Sequence, residues 1–151
     1  MAVDLAIPIR RPPAVVFAFL TDVQDHMTEA SRSIVPELEK VTPGPTRVGT
    51  RWREVVRVAP GLRFTIWSEA TAVEPDRRLV ETFAARWMRG SLTYELTPTP
   101  GGCELRQRQV AIPRGPLRLL DRPLERRFRA RVATRLAGIR DHTEATGTTA
   151  E

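Results

Sequence analysis

Cysteine is almost missing from this chain. Cys103 is the single one in 151 residues, which excludes an intrachain disulfide and every multi-cysteine metal site. Histidine is nearly as scarce: His26 and His142 lie far apart, and no His-x-x-x-His or Cys-x-x-Cys spacing occurs. A transition-metal site is therefore not expected. No stretch approaches the roughly 18 consecutive apolar residues of a membrane span. The opening MAVDLAIPIRRPP lacks the basic leader and apolar core of a secretory signal, so the protein is read as cytoplasmic. Phosphate-cradling loops and dinucleotide fingerprints are absent too, Gly101-Gly102 being hairpin chemistry, and no cofactor is expected. Ser31, Ser33, Ser68 and Ser91 lack a nucleophile-elbow context. Lysine is represented by Lys40 alone, so the net charge of +6 and the pI near 11.0 come from arginine. Arginine-heavy usage with much Ala, Pro and Gly fits a high-GC bacterial genome. Acidic and basic residues intersperse through most of the strands, so no nucleic-acid partner is expected from pI alone.

What is present is organised around one stretch. Between Pro116 and about His142, the residues Leu117, Leu120, Leu124, Phe128, Val132, Leu136 and Ile139 recur at steps of three and four, one stripe of an α-helix. At about 1.5 Å per residue such a helix reaches about 35–40 Å, comparable to a small domain, and its stripe needs a broad apolar surface to lie on. Strands upstream supply that surface. Val3 to Ile9 alternates as strand one, Pro12-Pro13 opens a short helix from Ala14 to Leu20, and Met27 to Ser33 forms a second short helix. Six more strands come after it, separated by Pro and Gly turn chemistry: Glu37 to Thr42, Thr50 to Val58, Leu62 to Val73, Arg78 to Trp87, Ser91 to Thr97 and Glu104 to Ile112. Hairpin-length connections make this one antiparallel meander. Residues 1–143 are read as a single domain and 144–151 as a disordered tail.

Several motifs stand in a telling order. They are Pro13 to Asp22 (PAVVFAFLTD), Val48-Gly49-Thr50-Arg51-Trp52, Val73-Glu74-Pro75, Tyr94-Glu95-Leu96-Thr97-Pro98 with Gly101-Gly102, and the long final helix. Together they resemble the SRPBCC superfamily, which includes START domains, birch-pollen-allergen-like proteins and the polyketide cyclase/dehydrase family. The resemblance implies an α+β helix-grip fold: a seven-stranded curved antiparallel sheet wrapped around a long C-terminal helix, with two short helices after strand one and a cavity between sheet and helix. It also implies a hydrophobic small-molecule ligand, with cyclisation, aromatisation or dehydration in a minority of members. One departure is plain. The family often has a tryptophan at the cavity mouth shortly after the Asp22-like position, where this chain reads Gln24-Asp25-His26-Met27.

Strand alternation nominates the side chains that face inward. Trp52, Glu54, Val56 and Val58 share the more apolar face of their strand, and Phe64, Ile66, Ser68, Ala70 and Ala72 supply small residues beside large ones. A desolvated Glu54 suits general acid or base work unless an arginine pairs with it or it sits at a rim. Gln107 and Gln109 offer inward amides, on one reading of the register, and Tyr94 can donate to a ligand carbonyl or simply pack on the helix. His26, beside the expected entrance, is a usable proton shuttle or a solvated loop residue. The candidate catalytic pair is thus Glu54 and His26. The candidate ligand-binding set is Trp52, Phe64, Ile66, Ser68, Tyr94, Gln107, Gln109, Leu120, Leu124 and Phe128. Arg118, Arg122, Arg126, Arg129 and Arg140 fall mostly off the stripe, forming a solvent face or a docking face for an acidic partner such as an acyl carrier protein; a homodimer also stays open. Three readings compete: a binder of a lipid- or polyketide-like molecule, a cofactor-independent polyketide cyclase/dehydrase-like enzyme, and a non-catalytic accessory protein.

Overall fold

The computed structural model describes residues 1–21 and 37–148. Seven strands run β1 (Ala2–Ile9), β2 (Leu38–Lys40), β3 (Arg51–Ala59), β4 (Leu62–Glu74), β5 (Arg78–Ala85), β6 (Met88–Thr99) and β7 (Gly102–Pro113). They form one antiparallel sheet ordered β1-β7-β6-β5-β4-β3-β2, so the first strand closes the meander beside the last. Helix α1 (Pro13–Thr21) follows β1, a 3₁₀ segment spans Gly115–Leu120, and the closing helix α2 covers Asp121–Thr148. The second short helix expected over Met27 to Ser33 lies outside the described residues.

Alternation in the strands builds the inner face. Leu79 and Phe83 on β5, Leu92, Tyr94 and Leu96 on β6, and Cys103, Leu105 and Ala111 on β7 are buried together with Val132, Leu136 and Ile139 of α2. The helix packs chiefly on β1, at the end of the sheet where the core is filled. The curved sheet leaves a hollow towards β3 and β4. Close approach fixes Gly90 on β6: a Cβ there would overlap the Val110 carbonyl and lie 2.7 Å from the Phe83 ring, so only glycine lets three neighbouring strands close at that point.

Three sequence expectations are corrected. Pairing between β4 and β5 slips between Ala70 and Ala72, a β-bulge that leaves one residue over and reverses the facing of the residues beyond it. Ala70 pairs with Glu81 and faces inward, whereas Ala72 pairs with Val80 and turns outward, leaving Val73 opposite Leu79 in the core. The long helix does not begin at Pro116. Pro123 would clash with a carbonyl four residues earlier in a continuous helix and is tolerated only in a first turn, so the chain makes a 3₁₀ segment and restarts at Asp121. Leu119 and Leu120 consequently point to solvent, 87% and 49% exposed. Finally, residues 144–148 are not a loose tail, for α2 runs to Thr148, and the Glu144 carboxylate accepts the Arg10 backbone N–H at 2.9 Å. No helix among the described residues is long and apolar enough to cross a membrane.

Candidate functional site

The hollow between the sheet and α2 has a volume of about 700 Å³. Its walls are mostly apolar. Trp52 and Val56 come from β3, Phe64 and Ile66 from β4, Phe83 from β5, Leu92 from β6, and Leu124, Phe128, Val132 and Ile139 from the helix. Against this background one polar cluster stands out.

Glu54 projects from β3 and accepts a hydrogen bond from Arg135 Nη2 of α2 at 2.9 Å, with Arg131 Nη2 3.9 Å away. Both partners of the short pair are largely buried, at 20% exposure for Arg135 and 15% for Glu54. The carboxylate raises the Arg135 pKa above the usual guanidinium range, and Tyr94 and Glu81 add to the effect. Arg131, further out, is pulled the other way by desolvation, which the charge of Glu54 offsets only partly. Glu81, two strands from Glu54, lines the same hollow but makes no direct ion pair or hydrogen bond among the described residues. Burial pushes its carboxyl up to about 7; Arg135 pulls against that shift and Glu54 reinforces it. The Tyr94 hydroxyl, which interacts with Arg135, is pushed up to about 12, again chiefly by burial. The wall therefore offers one carboxylate paired with a guanidinium, one carboxyl that takes or gives a proton readily near neutral pH, and one neutral phenol. That is the inventory of a site able to orient a carbonyl and move a proton.

Of the residues nominated by sequence, Trp52, Glu54, Phe64, Ile66, Ser68, Tyr94, Gln109, Leu124 and Phe128 all line the hollow. Glu54 meets the condition set for it in the sequence, since Arg135 pairs with it. Gln107 is corrected, being wholly buried behind the wall, where its Nε2 donates to Gln109 Oε1 at 3.1 Å. It holds the neighbouring amide rather than reaching the hollow. Leu120 is corrected as well, since the 3₁₀ segment turns it outward. His26 lies outside the described residues. His142 stacks on Phe19 with ring centroids 4.7 Å apart. Sequence reasoning missed Glu81, Arg131 and Arg135, although signals existed. Leu79, Glu81 and Phe83 alternate on one face, and Arg135 falls three residues after Val132 and four before Ile139, on the edge of the apolar stripe. Among the described residues no group of three or more His, Cys, Asp or Glu side chains is placed to hold a metal ion.

A curved antiparallel sheet gripping one long helix over a hollow defines the helix-grip class. The chain belongs to the family described as polyketide cyclase / dehydrase and lipid transport, whose pattern matches residues 1–144. Among solved structures it is similar to TTHA0849 from Thermus thermophilus, at 20% identity and a TM-score of 0.77 over 97% of this chain and 99% of that one. It is similar also to the Zhui aromatase/cyclase from Streptomyces sp. R1128, with 16% identity and a TM-score of 0.71 over 95% and 93% of the two chains. Ara h 8.0201 aligns with 14% identity and a TM-score of 0.71 over 96% of this chain and 98% of that one. At these identities the likenesses establish the fold alone. Among curated proteins none matches the chain.

Proposed function

We propose that this protein binds a hydrophobic small molecule, lipid- or polyketide-like, in the hollow between its sheet and α2. The observation that carries the reading is an apolar hollow of about 700 Å³, within the range of about 300–1,000 Å³ in which small-molecule sites fall. Burying an apolar guest there removes its surface from water, at roughly 25 cal/mol per Å², while the polar cluster fixes one end of it. Native mass spectrometry with a panel of fatty acids, fatty alcohols, fatty amines and aromatic polyketides tests this. A stoichiometric one-to-one complex is expected, and a panel that leaves the protein entirely unliganded would overturn the reading.

Catalysis of the polyketide cyclase/dehydrase kind is the second reading, supported by the convergence of Glu54, Glu81, Tyr94 and Arg135 on one part of the wall. In it the apolar walls hold a reactive chain in one folded shape, Arg135 and Tyr94 orient carbonyl oxygens, and Glu81 moves the proton because its affinity for one is close to neutral. Glu54, held by Arg135, keeps the guanidinium in place. Incubation of a poly-β-ketone mimic with the protein and with Glu81→Gln distinguishes the two: turnover lost by at least tenfold in the variant supports chemistry, and equal product from both removes Glu81 from it.

A further inference from the structure

The polar cluster has an uneven charge pattern. Glu54 has Arg135 at 2.9 Å and Arg131 at 3.9 Å, whereas Glu81, on the same wall, has no cation within ion-pair distance among the described residues. Counting ionised forms, the innermost trio of Glu54, Arg135 and Glu81 carries one negative charge more than it balances. Three other arginines line the hollow, Arg57, Arg127 and Arg131, and none is within ion-pair distance of Glu81. The Arg57 side chain is 67% exposed and already faces Glu37, and that of Arg131 is 49% exposed and faces Glu54, so water and salt screen both. A carboxylate left without a partner in an apolar hollow is costly, and it is relieved either by protonation or by a positive group brought to it.

From this juxtaposition we infer that the preferred guest is a hydrophobic amine: an apolar body with a protonated nitrogen that occupies the open position beside Glu81 and completes an alternation of two carboxylates with two cations. A free carboxylate as head group would instead face Glu81 directly and be disfavoured. The inference rests on the hollow being a guest site, and goes beyond it by naming the head group.

The groups that act on Glu81 are Glu54 from β3, Tyr94 from β6 and Arg135 from α2, and Arg127 and Arg131 of α2 line the same hollow. Tyr94 is pushed up to about 12, clear of neutrality, and Glu81 to about 7. An amine that needs ionised Glu81 therefore gains affinity as pH rises from 6 to 8, by about tenfold, because the competent fraction rises by that factor. A carboxylate that needs the protonated form loses about as much.

The test uses three probes of one chain length, decylamine, decanol and decanoate, titrated calorimetrically into the full chain at pH 6 and pH 8. Expected are decylamine affinity rising about tenfold across that interval, decanoate affinity falling, and decanol unchanged. Glu81→Gln is expected to flatten the first two responses, while a far-ultraviolet circular dichroism spectrum of wild-type form shows that the variant is folded. Decanol binding with no preference for the amine at pH 8 overturns the head-group inference and leaves the guest site standing. So does pH dependence that survives in Glu81→Gln, or tighter binding of decanoate than of decylamine. No binding by any of the three overturns the guest site itself.

Discussion

Replacing Arg135 with Gln removes the guanidinium that holds Glu54 in the cavity wall, at 2.9 Å and with side-chain exposures of only 20% and 15%. The carboxylate would be left largely buried with Arg131, 3.9 Å away and half exposed, as its nearest cation. Breaking a fully buried pair in this way costs about 3–5 kcal/mol. Here the residual exposure and the second arginine bring the expected loss to about 2–3 kcal/mol at pH 7. For a chain of this size that lowers the melting temperature by roughly 5–10 °C. The assay is chemical denaturation of wild type, Arg135→Gln, Glu54→Gln and the double variant, read as a cycle. The double variant is expected to recover part of the loss, with a coupling of about 1–2 kcal/mol. If Arg135→Gln were within about 0.5 kcal/mol of wild type, or if the two substitutions simply added, the ion pair would not be what holds the polar cluster together.

Three further outcomes rest on the same physics. Because the folded pKa of Glu81 lies near 7 against an ordinary 4.5, the native state binds more protons than the unfolded one between those values, so stability falls as pH rises through this window. The loss amounts to roughly 3 kcal/mol, and urea titrations from pH 4.5 to 8 should show Glu81→Gln lacking that decline. Gly90→Ala drives a methyl into the Val110 carbonyl and the Phe83 ring; about 2–3 kcal/mol of overpacking cost is expected, and an unchanged melting curve would contradict the close-approach argument. Ser68→Phe extends a ring from β4 into the hollow. Decanol binding is expected to drop at least tenfold by calorimetry while the far-ultraviolet circular dichroism keeps its wild-type form.

The fold was legible because its governing signals are local. Period-two alternation, turn residues at hairpin spacing and a stripe at steps of three and four each depend on nearby residues alone, and seven strands and a closing helix came from them with ends displaced by a few residues. The illegible part depends on pairing. The facing of Ala72 turns on a register slip between two strands, which no single strand announces. Leu120 obeys the helical spacing yet is exposed, because Pro123 acts four residues back along the chain and moves the helix start. The cavity wall was half readable. Trp52, Glu54 and Tyr94 came from alternation, whereas the pairing of Glu54 with Arg135 joins residues 81 positions apart. A charge that interrupts an apolar stripe looks like the solvent edge until the surface beneath it is known to be hollow.

The buried anchors of α2 are unevenly spaced along its length. Val132, Leu136, Ile139 and Thr143 are at most 3% exposed, whereas before Val132 no described residue of the helix is buried and only Leu124 and Phe128 are partly so, both overhanging the hollow. The helix is thus bolted at its far end and cantilevered at its near end, like a hatch on a single hinge. Swinging residues 122–131 outward would uncover little core and clear a portal for a guest, with the body of the sheet left undisturbed.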